Sequence, residues 1–439
     1  MTTSTTQRFD LPGGAVGYVE SSSVVPLVSI VVSLRSGSLA DPDGKDGLSR
    51  LTARMIRRGC KGMTSPEIES AIDRLGGEVG LDVGPSTISL HAQVIRRNLV
   101  PFCELLARIL GTPTFDEQEL GRLKRETVAE LLDARDNDRA LAGLAFRRAL
   151  FPGHPYSRTA AGRPGGVEAL GRDDVLSTYA RAFVQSNAVL GFAGAITTEE
   201  AKELGAQLVG ALGNGPRTVV NVPEPQRRAG RHLAFVDKPD RTQTQILIGT
   251  LGTWPKDPDH VPLVTATAVL GGTFTSRMMR EIRSKRGWSY GTSARLSIER
   301  QRHAFTMSAA PGAGDCAPCI ALELELLEQF VEKGITPREL SFIKNYLVRS
   351  HAFEVDTAPK RLGQALEIDL LDLPADYHTG YIDHIKGVTV EACNAGIQAR
   401  LFPSDVVVIV VGTAGELVEK IAKAIPGLAS QEIIPFDRD

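Results

Sequence analysis

Apolar positions along the chain follow two spacings. In 47–59, read G-L-S-R-L-T-A-R-M-I-R-R-G, Leu48, Leu51 and Met55 recur at helical intervals, which predicts a helix with one face on a core. The same segment carries Arg50, Arg54, Arg57 and Arg58, an unusual density of guanidinium groups beside a buried stripe. Apolar runs bounded by polar and turn residues predict strands at VPLVSIVVSLRSGS (25–38), STISLHAQVI (86–95) and TQTQILIGTLGT (242–253). SPEIESAIDRLGGEVG (65–80) predicts a second helix, and IALELELLEQFVEKG (320–334) a more apolar one. Strands and helices mix without strict βαβ alternation. That predicts an α+β fold of two homologous domains, each a mixed, mostly antiparallel sheet covered by helices on one face. Within each half the long helices are expected to end in an edge strand.

The halves resemble each other. FVQSNAVLGFAG (183–194) aligns without a gap on LFPSDVVVIVVG (401–412) at an offset of 218, and FDEQELGRLKRE (115–126) aligns on ITPRELSFIKNY (335–346) at 220. In the second pair Glu119-Leu120 falls on Glu339-Leu340, and Lys124 on Lys344. Asp41-Pro42-Asp43 and Asp257-Pro258-Asp259 precede apolar helices 216 apart. The period is too long for a solenoid repeat, so two homologous domains are expected, 1–212 and 233–439, joined by a Pro-, Gly- and Arg-rich linker at 213–232.

Composition narrows the function. With 50 basic and 52 acidic residues there is no basic excess to draw nucleic acid, and no apolar run is long enough to predict a membrane span. Ser, Thr and Gln follow Met1 as far as Gln7 with no apolar stretch behind them, so no signal peptide is visible. A cytoplasmic protein is expected, or a periplasmic one if the sequence starts at a mature terminus. Five cysteines argue against a disulfide framework, and Cys316-Ala-Pro-Cys319 reads as two small buried residues at a helix start. None of the eight histidines lies three or four residues from another, so no helix presents two imidazoles to one metal ion. No G-x-S-x-G elbow, Walker A loop or G-x-G-x-x-G occurs.

Three stretches carry a family resemblance: Gly47-Leu48 through Met55 to Gly59 with the helix behind it; Arg125-Glu126-Thr127-Val128-Ala129-Glu130 leading to FPGHPYSR (151–158); and Arg280-Glu281-Ile282-Arg283-Ser284-Lys285-Arg286-Gly287-Trp288-Ser289-Tyr290. Together they resemble the pitrilysin/insulinase family of zinc peptidases, the inverzincins, and within it the short two-domain branch that includes mitochondrial processing peptidase and bacterial relatives. Active members carry H-x-x-E-H on the first helix: two histidines at i and i+4 bind Zn²⁺, and the intervening Glu is the general base. The resemblance places Arg50 and Arg54 at the histidine positions and Ala53 at the base. Glu130, 76 residues after Arg54, falls at the place of the third ligand. Fixed positive charge therefore replaces the metal chemistry, and Glu130 is expected to pair with Arg50 or Arg54. No cofactor is expected in this chain.

The third stretch keeps the family's pattern. Arg283 and Tyr290, seven residues apart, match an Arg/Tyr pair that holds the substrate backbone and the oxyanion; read without the resemblance they are a surface Arg and a core Tyr. Arg280 and Arg286 are expected to be solvated. A chain with this pair and no H-x-x-E-H implies the non-catalytic half of a heterodimeric peptidase, inactive alone. The partner is a homologue that carries H-x-x-E-H and the zinc, and the substrates are extended peptides. A structural or peptide-binding protein of the same fold is the alternative.

Overall fold

The computed structural model describes residues 6–438; residues 1–5, on which part of the signal-peptide reading rests, and residue 439 lie outside the described residues. Two six-stranded sheets organise the chain. In the first the order is Gln7–Asp10, Val16–Ser21, Ala188–Gly194, Leu27–Leu34, Ile88–Ile95, Gly77–Val83. Every pairing is antiparallel except that of Val16–Ser21 with Ala188–Gly194. The second runs Thr292–Leu296, Ala304–Ala309, Gln245–Leu251, Val407–Gly412, Arg231–Asp237, Leu428–Pro435. Here Arg231–Asp237 pairs in parallel with both of its neighbours.

Leaving out Gln7–Asp10 and Leu428–Pro435, the five remaining strands of each sheet follow the same order in sequence and in space, so the fold is α+β and duplicated. The matched segments occupy matched places. Lys124 Nζ donates to the Leu170 carbonyl at 2.8 Å, and Lys344 Nζ to that of Val388 at 2.7 Å, acceptors that are themselves 218 positions apart. Arg58 lies 4.0 Å from Glu119, and Arg277 lies 2.7 Å from Glu339.

One expectation is corrected. Ala188–Gly194 and Val407–Gly412, expected at sheet edges, are central strands buried along their whole length. A continuous apolar run without alternation is the mark of a strand covered on both faces. The second cover is one helix per sheet. In the first sheet Val16, Tyr18, Val189 and Ala193 pack on Leu362, Leu366 and Leu370 of the helix Ala358–Leu371. Most of the first sheet's helices lie on its other face, where Val28, Ile30, Val32 and Leu34 join a core with Leu51, Met55, Phe102 and Leu106.

Two compact units result, and each takes a segment from the other sequence half. The first comprises residues 1–131, 158–221 and 352–379; the second comprises 132–157, 222–351 and 380–439. Residues 214–229 form neither helix nor strand, and the strand beginning at Arg231 takes over inside the expected linker. Among the described residues no helix is long and apolar enough to cross a membrane.

Cys316 and Cys319 are buried free thiols that open the helix Cys316–Lys333. One turn further on, Glu323 is wholly buried and neither carboxyl oxygen has a hydrogen-bond partner. Burial pushes its pKa from 4.5 up to about 8, so the folded chain keeps this proton while the unfolded chain releases it. Stability should therefore fall as pH rises between those two values. Glu323→Met is expected to add about 1–3 kcal/mol at pH 8 and to flatten that decline. Urea midpoints at pH 5 and 8 test it; a variant no more stable than the parent at pH 8 contradicts the account.

Candidate functional site

The first site is built on the short helix Leu48–Met55. Its start is fixed by a buried carboxylate: Asp41 accepts from the Gly47 and Ser49 amides at 3.2 and 2.9 Å and from the Ser49 hydroxyl at 2.5 Å. These bonds satisfy amides that an N-terminus leaves open. Gly47 is required there, because its φ is +95° and a Cβ would come within 2.9 Å of Gly162 Cα. Leu48, Leu51 and Met55 enter the core, which turns Arg50 and Arg54 together toward the long helix Glu117–Asp133.

Glu130 on that helix takes both arginines. Arg54 grips it with two nitrogens, at 2.7 Å to Oε1 and 2.9 Å to Oε2, and also reaches the Thr127 hydroxyl at 2.9 Å. Arg50 donates to Oε2 at 2.9 Å. Burial alone would push the Glu130 carboxyl up, but the hydrogen bonds and charges of Arg54 and Arg50 outweigh it and hold the group below the usual carboxylate range. The other two arginines have partners of their own: one Arg57 nitrogen donates to both Glu69 oxygens at 2.8 Å, and Arg58 pairs with Glu126. Exposed pairs of this kind contribute only ~0–1 kcal/mol each. Their main effect is to fix where charge sits. Ala53 is fully buried at the floor of an open cleft of about 610 Å³, walled by these arginines and by Leu81, Asp82 and Val83.

Zinc does not fit this cleft. A guanidinium stays protonated and has no lone pair to give, Ala53 cannot take a proton, and Glu130 is already engaged by two cations. Among the described residues no three His, Cys, Asp or Glu side chains gather so as to hold a metal ion.

The second site is in the second unit. A π-helical turn, Met279–Ser284, carries Arg283, and such turns recur at functional sites. The turn closes with Gly287 N–H donating to the Arg283 carbonyl and Trp288 N–H to that of Ile282, at 3.0 and 3.1 Å. The nested pair is one residue wider than a Schellman ending, as suits a π-helical turn, and the reversal uses the +66° φ that Gly287 supplies. The reversal brings Tyr290 back over Arg283. The guanidinium lies 4.6 Å from the Tyr290 ring centroid and 4.6 Å from that of Phe274, held between two aromatic faces. Tyr290 is 88% exposed and Phe274 69%, so the clamp stands at the surface of its unit. Glu281, the nearest acid in sequence, takes Arg280, Lys285 and Arg286, two of them read from sequence as solvated. Among the described residues no carboxylate pairs with Arg283.

The structure thus groups Arg50, Ala53, Arg54 and Glu130 in one unit, and Arg283 with Tyr290 in the other. Sequence reasoning missed Phe274, nine residues before Arg283 in a Gly-Gly-Thr-Phe turn with no periodic signal. It also missed that Glu69 and Glu126 would take up Arg57 and Arg58.

The chain is a duplicated α+β layer whose first unit turns an i, i+4 pair of arginines toward a Glu on a later helix. Residues 18–162 match the insulinase family (peptidase family M16) and residues 169–347 the peptidase M16 inactive domain, so the chain belongs to peptidase family M16. It is similar to the non-peptidase homolog YmxG of Helicobacter pylori, at 21% identity over 89% of this chain and 90% of that one. An uncharacterized zinc protease of Mycobacterium leprae is 27% identical over 88% and 87% of the two chains. The fold is shared with the peptidase M16 inactive domain from Pseudomonas fluorescens, with a TM-score of 0.86, 23% identity and 94% and 99% of the two chains covered. The chain is an M16-fold protein whose sequence carries no H-x-x-E-H.

Proposed function

We propose that this chain is the non-catalytic subunit of a heterodimeric zinc peptidase. It lends Arg283 and Tyr290 to a site whose zinc and H-x-x-E-H helix belong to a homologous partner, and the pair hydrolyses extended peptides. One observation carries the reading: Arg283 lies over the rings of both Phe274 and Tyr290, while neighbouring cations are drawn off by Glu281. A preorganised guanidinium with no carboxylate partner can stabilise negative charge developing on a scissile carbonyl oxygen, and the Tyr290 hydroxyl adds a second donor. A scaffold has no use for such an exposed clamp. The similarity to a protein named a non-peptidase homolog fits a chain without turnover of its own.

The test is hydrolysis of a quenched-fluorescent peptide by this chain, by an H-x-x-E-H homologue, and by the mixture. Activity is expected in the mixture alone and should vanish with a chelator. A homologue that is fully active alone and indifferent to mixing would reduce this chain to a scaffold or a peptide-binding protein.

A further inference from the structure

The cleft around Arg50 keeps unused donors. Arg50 gives Glu130 one of the five N–H groups a guanidinium carries, and none of the others meets a protein acceptor among the described residues. The Glu130 oxygen it meets also accepts from Arg54, so two guanidiniums share one carboxylate and a positive charge is left over. Arg57 and Arg58 do not change this balance, because Glu69 and Glu126 neutralise them, and Asp82, alternating with the core-packed Leu81 and Val83, lies on the other face of its strand and forms no ion pair among the described residues.

The facing wall is the free edge of the first sheet. Among the described residues Gly77–Val83 pairs with Ile88–Ile95 on one side only. The Gly84 amide bonds the Thr87 carbonyl at 2.9 Å, and bonded positions in an antiparallel ladder alternate. Asp82 therefore bonds inward, opposite Ser89, while Val79, Leu81 and Val83 turn their backbone groups to the open edge. Arg57 reports this directly, since it donates to the Val79 carbonyl at 2.6 Å. Leu81 and Val83, beside the cleft, present the same row.

We propose that this cleft binds the C-terminal end of an extended peptide. The peptide backbone pairs with Leu81 and Val83, and its terminal carboxylate lies on the open fork of Arg50. An internal peptide segment could pair with the strand but would leave the surplus charge of Arg50 and Arg54 uncompensated. A free carboxylate supplies the missing anion through charge-assisted hydrogen bonds. The site that cuts a chain in active relatives would here recognise a chain end.

The binding is read on the full chain without any partner, so it stands or falls independently of the peptidase reading. The probes are N-terminally labelled heptapeptides of Val, Ser and Ala, one a free acid and one a C-terminal amide, titrated by fluorescence anisotropy. The acid is expected to bind about tenfold tighter than the amide. Arg50→Gln should bring the two within about twofold, the loss falling chiefly on the acid, while Arg54 still holds Glu130. Should Arg50→Gln fail to fold, Arg50→Lys, which keeps the charge and loses the fork, is expected to show an intermediate preference. Equal affinity of acid and amide for the parent, or a preference that survives the loss of Arg50, overturns the proposal. So does displacement by acetate at concentrations matching the acid peptide's own, which would reduce the cleft to a plain anion site.

Discussion

The triple variant Arg50→His, Ala53→Glu, Arg54→His is expected to bind one equivalent of zinc per chain, measured by elemental analysis after gel filtration, where the parent retains none. The backbone is already placed for it. Positions 50 and 54 share a helix face, and both side chains reach a single oxygen of Glu130 at 2.9 Å. An imidazole is shorter than a guanidinium, and a Zn²⁺ with bonds of about 2.0–2.2 Å on either side makes up the difference. Loss of the two guanidiniums frees the Glu130 carboxylate, which their hydrogen bonds hold ionised and engaged. Removing Glu130 as well should abolish the zinc, because two imidazoles leave too few protein ligands for a tight site. A triple variant that folds, as judged by its circular dichroism, yet holds no zinc would show that more than these side chains has been lost.

Arg283→Ala, assayed in the mixture with an H-x-x-E-H partner, is expected to lower kcat/KM by about 10²-fold with the partner's zinc content unchanged. Removal of a preorganised donor from a developing oxyanion produces losses of that order. Arg283→Lys should recover little, since an ammonium presents neither a planar face to the two rings nor a fork to the substrate. Tyr290→Phe separates the roles of the tyrosine, because it keeps the ring that faces Arg283 and deletes only the hydroxyl. Turnover unchanged in Arg283→Ala would remove Arg283 from the chemistry and leave the surface clamp without a catalytic purpose.

Much of this molecule was legible in its sequence because the signals are local. The helix 48–55 and the strand 88–95 follow from spacing and run length, and the duplication follows from segments that still match at one offset. That Arg50 and Arg54 turn the same way was readable because i and i+4 share a helix face whatever surrounds them. The central place of Ala188–Gly194 is legible in its unbroken apolar run, which an edge strand would not carry.

What remained depended on contacts that periodicity does not encode. Which carboxylate meets which guanidinium is decided by packing between elements 76 residues apart, and Glu130 takes Arg50 and Arg54 together where sequence left a choice of one. Phe274 becomes half of a clamp only because the chain reverses at Gly287 and folds Tyr290 back over Arg283. The helix Ala358–Leu371 covers a strand more than 150 residues earlier, and its amphipathic face names no address. Short-range spacing sets which face of an element is apolar; only the closure of the tertiary fold sets what that face, and the charges beside it, will touch.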